Sequence, residues 1–136
     1  MLDWLRRLGR SRAPLRGAPA VRRQKTYSAQ SGYVYQYFYE GHRDSKRQGK
    51  GSVEFVFSVS ADRKTSFPVS VFLSESAIGG WQQRAGRTLT STECYAIAKM
   101  GLFDAFDTRD HPESMHFAVD LTGGDVDRFL QTLGID

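Results

Sequence analysis

Residues 33–39 alternate without a break, with Tyr33, Tyr35, Tyr37 and Tyr39 on one side and Val34, Gln36 and Phe38 on the other. A period of two suits only an extended strand, and tyrosine and valine both favour that state. Whatever this chain folds into must therefore contain a sheet with an aromatic face. Five of its six tyrosines lie within residues 27–39.

The pattern continues beyond that strand. Val53, Phe55, Phe57 and Val59 alternate again, and the 61–65 turn leads into a third strand from Phe67 to Leu73. Short connections predict an antiparallel meander. The polar stretch 41–51 reads as a loop between the first two strands. Pro68 cannot donate a ladder hydrogen bond, which places the start of the third strand at an edge.

The period then changes from two to 3.6. Ser74 or Ser76 can cap a short helix running to about Arg84, and Gly86 ends it. Thr90 and Glu93 form a capping box, each satisfying a backbone N–H at the start of a helix that runs to about Asp107. Its stripe of Cys94, Ile97, Ala98, Gly101, Leu102 and Ala105 is widened by Met100, Phe103 and Phe106, as befits a helix laid on a sheet. Phe117, Val119 and Leu121 alternate as a fourth strand. Val126, Phe129, Leu130 and Leu133 mark a last helix that Gly134 stops.

The expected fold is α+β, with element order β-β-β-α-α-β-α. It has an antiparallel three- to four-stranded sheet and helices on one face. With 136 residues, the chain fits one core. A single cysteine, Cys94, allows no internal disulfide, which points to a reducing compartment and a cytoplasmic location. No apolar run is long enough for a signal or a membrane span.

Charge divides the chain in two. Residues 1–25 hold eight basic side chains against one acid, Asp3, whereas residues 26–136 hold 11 basic and 14 acidic ones. The basic character belongs to the extension rather than to the fold. Residues 1–9 have the makings of a short amphipathic helix, with Met1, Leu2, Trp4, Leu5 and Leu8 apolar and Arg6 and Arg7 polar. Residues 9–25, rich in Arg, Gly, Ala and Pro, read as a flexible linker. The domain itself spans residues 26–136.

Two readings compete for the tyrosine row. Rings on an open strand face can stack bases or grip a peptide, and the neighbouring 41–51 stretch adds His42, Arg43, Lys46, Arg47 and Lys50 against Asp44. Alternatively, the rings cover the sheet where the helices meet it. The second reading is favoured, because paired strands share faces and the Phe55–Phe57 side of the next strand must be buried. Gly49, Lys50 and Gly51 lack the spacing and the strand-to-helix turn of a phosphate loop.

Asp107, Asp110, His111, Glu113 and His116 crowd into ten residues but match no metal-ligand spacing. Cys94 sits in the first turn of its helix, where a thiolate would be favoured, yet it also heads the apolar stripe. No catalytic motif is legible, and no cofactor or metal is called for. The expected function is a small non-enzymatic binding or adaptor domain whose basic tail docks to a partner or an anionic surface. The alternative is nucleic-acid binding through the tail, the 41–51 stretch and the tyrosine strand. Candidate contact residues are Trp4, Arg6, Arg7, Tyr35, Tyr37, Arg43, Lys46 and Arg47. Another protein is the expected partner, with nucleic acid and peripheral membrane contact by residues 1–10 as the other options.

Overall fold

A computed structural model describes residues 13–136. Five strands form one sheet in the order β1 (Lys25–Ser28), β2 (Val34–Arg47), β3 (Lys50–Ser60), β4 (Phe67–Ser74) and β5 (Val119–Leu121). The helices are α1 (Glu75–Ala85), α2 (Ser91–Thr108) and α3 (Gly123–Leu133), with a 3-10 turn at Pro112–His116. The class is α+β, but the sheet differs from expectation in two ways. It has five strands, because the short polar segment Lys25–Ser28 pairs with β2. It is also mixed, because β5 runs parallel to β4. The chain leaves β4 and returns through α1 and α2, and a crossover of that length delivers a parallel strand.

The 41–51 stretch is not a loop. It forms the far ends of β2 and β3, paired from His42↔Phe55 to Arg47↔Lys50. A two-residue turn closes it, with Gln48 at φ 54° and Gly49 at φ 77°. Positive φ at both central residues gives a turn whose twist matches that of the flanking strands. A bulge between Tyr39 and Gly41 shifts the register, with Gly41 at φ 124°. Beyond the bulge, His42 continues the inner face and Arg43 the outer one.

All three helices lie on the face carrying Tyr35, Tyr37, Phe57, Val59, Val71 and Leu73, and they share one core with it. Full burial of each large apolar side chain there contributes roughly 1.5–3 kcal/mol. Helix starts follow local chemistry. Ser74 caps α1, Thr90 and Glu93 form the expected box on α2, and Thr122 with Asp125 forms a second box on α3. Gly86 and Gly134 end their helices in the left-handed conformation. Gly101 lets α2 approach β5 closely, since a Cβ there would sit 2.7 Å from Leu121 Cδ2. Pro68 pairs with Ser58, on a stretch of β4 that β5 does not reach, so it does lie on a local edge.

Arg109, just past α2, donates to the carbonyls of Ser114, Phe117 and Ala118. It thereby ties the 3-10 turn to the entry of β5.

Candidate functional site

The tyrosine face is closed at its centre. Tyr35 is 0% exposed and Tyr37 3%. Tyr35 stacks on Phe106 at 4.1 Å, and Tyr37 meets Phe103 edge-on at 5.7 Å. Tyr27 stacks on Phe103 and donates to Asp107 at 2.7 Å. Tyr35 and Tyr37 are core residues under α2 and present no ring to solvent. Burial also pushes the Tyr37 and Tyr39 hydroxyls up to about 12.

The basic residues of the hairpin sit in different settings. Arg43 lies half-buried on the helix-free face, forking onto Glu54 at 2.9 and 3.3 Å, and Glu54 also accepts from Ser70 at 2.5 Å. Arg47 forks onto Asp120 and lies over the Phe72 ring. Lys46 is exposed near the hairpin tip. The two arginines are thus bound into the sheet, whereas Lys46, like Lys50, forms no ion pair among the described residues. Trp4, Arg6 and Arg7 fall outside the described residues.

The acidic histidine stretch does not converge. Asp107 accepts from Tyr27 and from the Gln30 backbone N–H, His116 stacks on Phe67 at 4.0 Å, and His111 faces Tyr33. Among the described residues no group of three His, Cys, Asp or Glu side chains could hold a metal ion. The Cys94 thiol is pushed up by burial and by the charge of Glu93, opposite to what a nucleophilic thiolate needs. No described helix is long and apolar enough to cross a membrane.

One basic surface does assemble, and it draws on the extension. Residues 13–24 run exposed along the free edge of β2 beyond β1. Arg16 and His42 exchange backbone hydrogen bonds, both 2.8 Å long. Gly41 makes that approach possible, because a Cβ there would lie 2.6 Å from the Arg16 carbonyl oxygen. Farther along, Arg22 caps Phe38 at 3.8 Å from its ring centroid and forks onto Glu40. A hollow of about 350 Å³ is lined by Val21, Arg23, Lys25, Tyr39 and Tyr95 among others.

Lys99 of α2 stands beside this hollow, its ammonium 6.0 Å from the Tyr95 ring centroid. Burial and the nearby charge of Lys25 both lower the Lys99 pKa, a sign that the two cations feel each other. None of Arg23, Lys25 and Lys99 forms an ion pair among the described residues. Arg23 and Lys25 thus line the hollow beside Tyr39 and Tyr95, Lys99 stands next to Tyr95, and no carboxylate of the described residues lines it.

The sequence carried a weak signal for this cluster. Lys99 is the one charge between Glu93 and Asp104 in an otherwise apolar helix, and Tyr95 lies one turn before it. No protein-family model matches the chain, and no curated protein or solved structure does either, so the geometry alone carries the functional argument.

Proposed function

We propose that this chain is a binding or adaptor domain that docks an acidic partner protein on the edge formed by residues 13–25 and α2. The observation that supports it most is that Arg23 and Lys25 line a hollow walled by Tyr39 and Tyr95, with the Lys99 ammonium 6.0 Å from the Tyr95 ring. An acidic side chain entering there would relieve repulsion between Lys25 and Lys99 while packing its stem against the rings. Fixed cations on a sheet edge act chiefly on association rate and orientation, so the interaction is salt-dependent. The basic extension works in this reading as part of the docking surface, held to the fold by the Arg16–His42 bridge and by Arg22.

The nucleic-acid reading loses much of its support. Tyr35 and Tyr37 are buried, and Arg43 and Arg47 have carboxylate partners, which leaves phosphate contacts by the extension and little for a base to stack on.

The test is binding of the full chain to a labelled glutamate-rich peptide and to a single-stranded oligonucleotide of equal charge. The expected result is saturable peptide binding that weakens about tenfold in a Lys25→Glu, Lys99→Glu variant. Peptide binding indifferent to both substitutions sinks the docking reading. An oligonucleotide bound ten times more tightly than the peptide would put nucleic acid in its place.

A further inference from the structure

On the side of the sheet that carries no helix, β1, β2, β3 and the 61–66 turn enclose a groove of about 450 Å³. Gln36 and Phe38 of β2, Ser58 and Ser60 of β3, and Arg63 and Lys64 of the turn all line it. Ligand sites for small molecules fall within this size range.

Gln36 sets this groove apart. It is 5% exposed, and its Oε1 is buried with no hydrogen-bond partner. No side-chain hydrogen bond of Gln36 is formed among the described residues. A buried carbonyl oxygen left unpaired is costly and uncommon in a folded protein. With its Nε2 beside it, the Gln36 amide carries an acceptor and a donor side by side, the pattern that meets an adjacent donor and acceptor on a planar ring edge. Adenine has such an edge, and glutamine pairs with it through two hydrogen bonds.

The turn supplies charge. Asp62 accepts from the Lys64 and Thr65 backbone N–H groups and from the Ser60 and Thr65 hydroxyls. These bonds hold Arg63 in the left-handed conformation at φ 64°, which non-glycine residues adopt rarely. Arg63 and Lys64 form no ion pair among the described residues, so both are available to a phosphate. Phe38, clamped from Arg22 at 3.8 Å, adds the apolar wall, and the serines suit sugar hydroxyls.

We infer that this groove binds an adenine nucleotide, with the base edge on the Gln36 amide and the phosphate on Arg63 and Lys64. The site lies on the opposite face from Tyr39, Tyr95 and Lys99 and does not depend on the docking reading.

Calorimetric titration of the full chain with adenosine monophosphate, adenosine and ribose 5-phosphate tests the proposal. Adenosine monophosphate is expected to bind with a Kd below about 1 mM, and the two fragments about tenfold more weakly. Gln36→Leu should weaken the nucleotide about tenfold and leave ribose 5-phosphate unchanged, while Arg63→Ala with Lys64→Ala should weaken both. The turn variant, changed only at exposed positions, keeps the test decisive should Gln36→Leu fail to fold. Lys99→Glu is expected to bind the nucleotide normally. The proposal is overturned by no heat from adenosine monophosphate up to about 5 mM. Equal binding of ribose 5-phosphate, or loss of binding on Lys99→Glu but not on Gln36→Leu, overturns it as well.

Discussion

The ring of Tyr35 lies flat against that of Phe106, centroids 4.1 Å apart and planes 9° apart. This contact makes the centre of the tyrosine row part of the core. The Tyr35 hydroxyl is also buried, with no hydrogen-bond partner among the described residues.

The Tyr35 ring and its hydroxyl should therefore act in opposite directions. Tyr35→Ala empties a fully buried site and is expected to cost about 3–5 kcal/mol. Tyr35→Phe keeps the stack and removes a polar atom that burial penalises by about 1–3 kcal/mol, so it should be neutral or stabilising. Chemical denaturation of both variants checks this, and a Tyr35→Phe protein markedly less stable than the parent would contradict it.

Two arginines on one strand should differ sharply. Arg43 pairs with Glu54 where their side chains are 15% and 10% exposed, whereas Arg47 and Asp120 are 42% and 48% exposed. Arg43→Met withdraws the guanidinium from a buried carboxylate and should cost about 3 kcal/mol. Arg47→Met should cost about 1 kcal/mol or less. Equal losses in the two unfolding curves would refute the distinction.

Acid should loosen the start of α2. The Arg87 guanidinium, followed by the Thr90 backbone N–H, holds the Glu93 carboxyl down at about 2, below its ordinary 4.5. A depressed folded pKa means that the unfolded chain binds the proton first. The stabilisation is therefore complete above 4.5 and is lost as pH falls through about 2. Melting temperatures from pH 5 to pH 2 should drop less steeply in Glu93→Gln than in the parent. Parallel curves would remove Glu93 as a source of the acid dependence.

The attachment of the basic extension should hinge on Gly41. Its φ of 124° and the nearness of the Arg16 carbonyl leave no room for a side chain. Gly41→Ala is expected to cost about 1–3 kcal/mol and to release the Arg16–His42 bridge. Hydrogen exchange reads this directly, as faster exchange of the Arg16 and His42 amides with the α2 amides still protected. Unchanged exchange at both amides would mean that glycine is not needed there.

Legibility in the sequence followed the range of the interactions. The caps at Ser74 and Thr90, the stops at Gly86 and Gly134 and the alternation in β2, β3 and β4 are local patterns, and each element appears where its pattern lies. β1 is not legible in the sequence because Lys25–Ser28 is short and polar and is a strand only through its pairing with β2. The 41–51 stretch reads as a loop because its ladder is held by cross-strand partners such as Arg43 and Glu54, which composition does not reveal. The hollow beside Tyr95 and the groove around Gln36 were equally hidden, since each gathers residues from three or more separate segments.

By itself, the sequence determined an α+β chain with an aromatic sheet face, a capped apolar helix to cover it and a basic extension set apart by charge. Periodicity and capping act within a few residues, so they can be read along the chain. Only the tertiary structure decided that Tyr35 and Tyr37 are core, that β5 is parallel to β4, and that Lys25 comes near Lys99. Those outcomes depend on which surfaces bury one another, and burial is settled between segments dozens of residues apart.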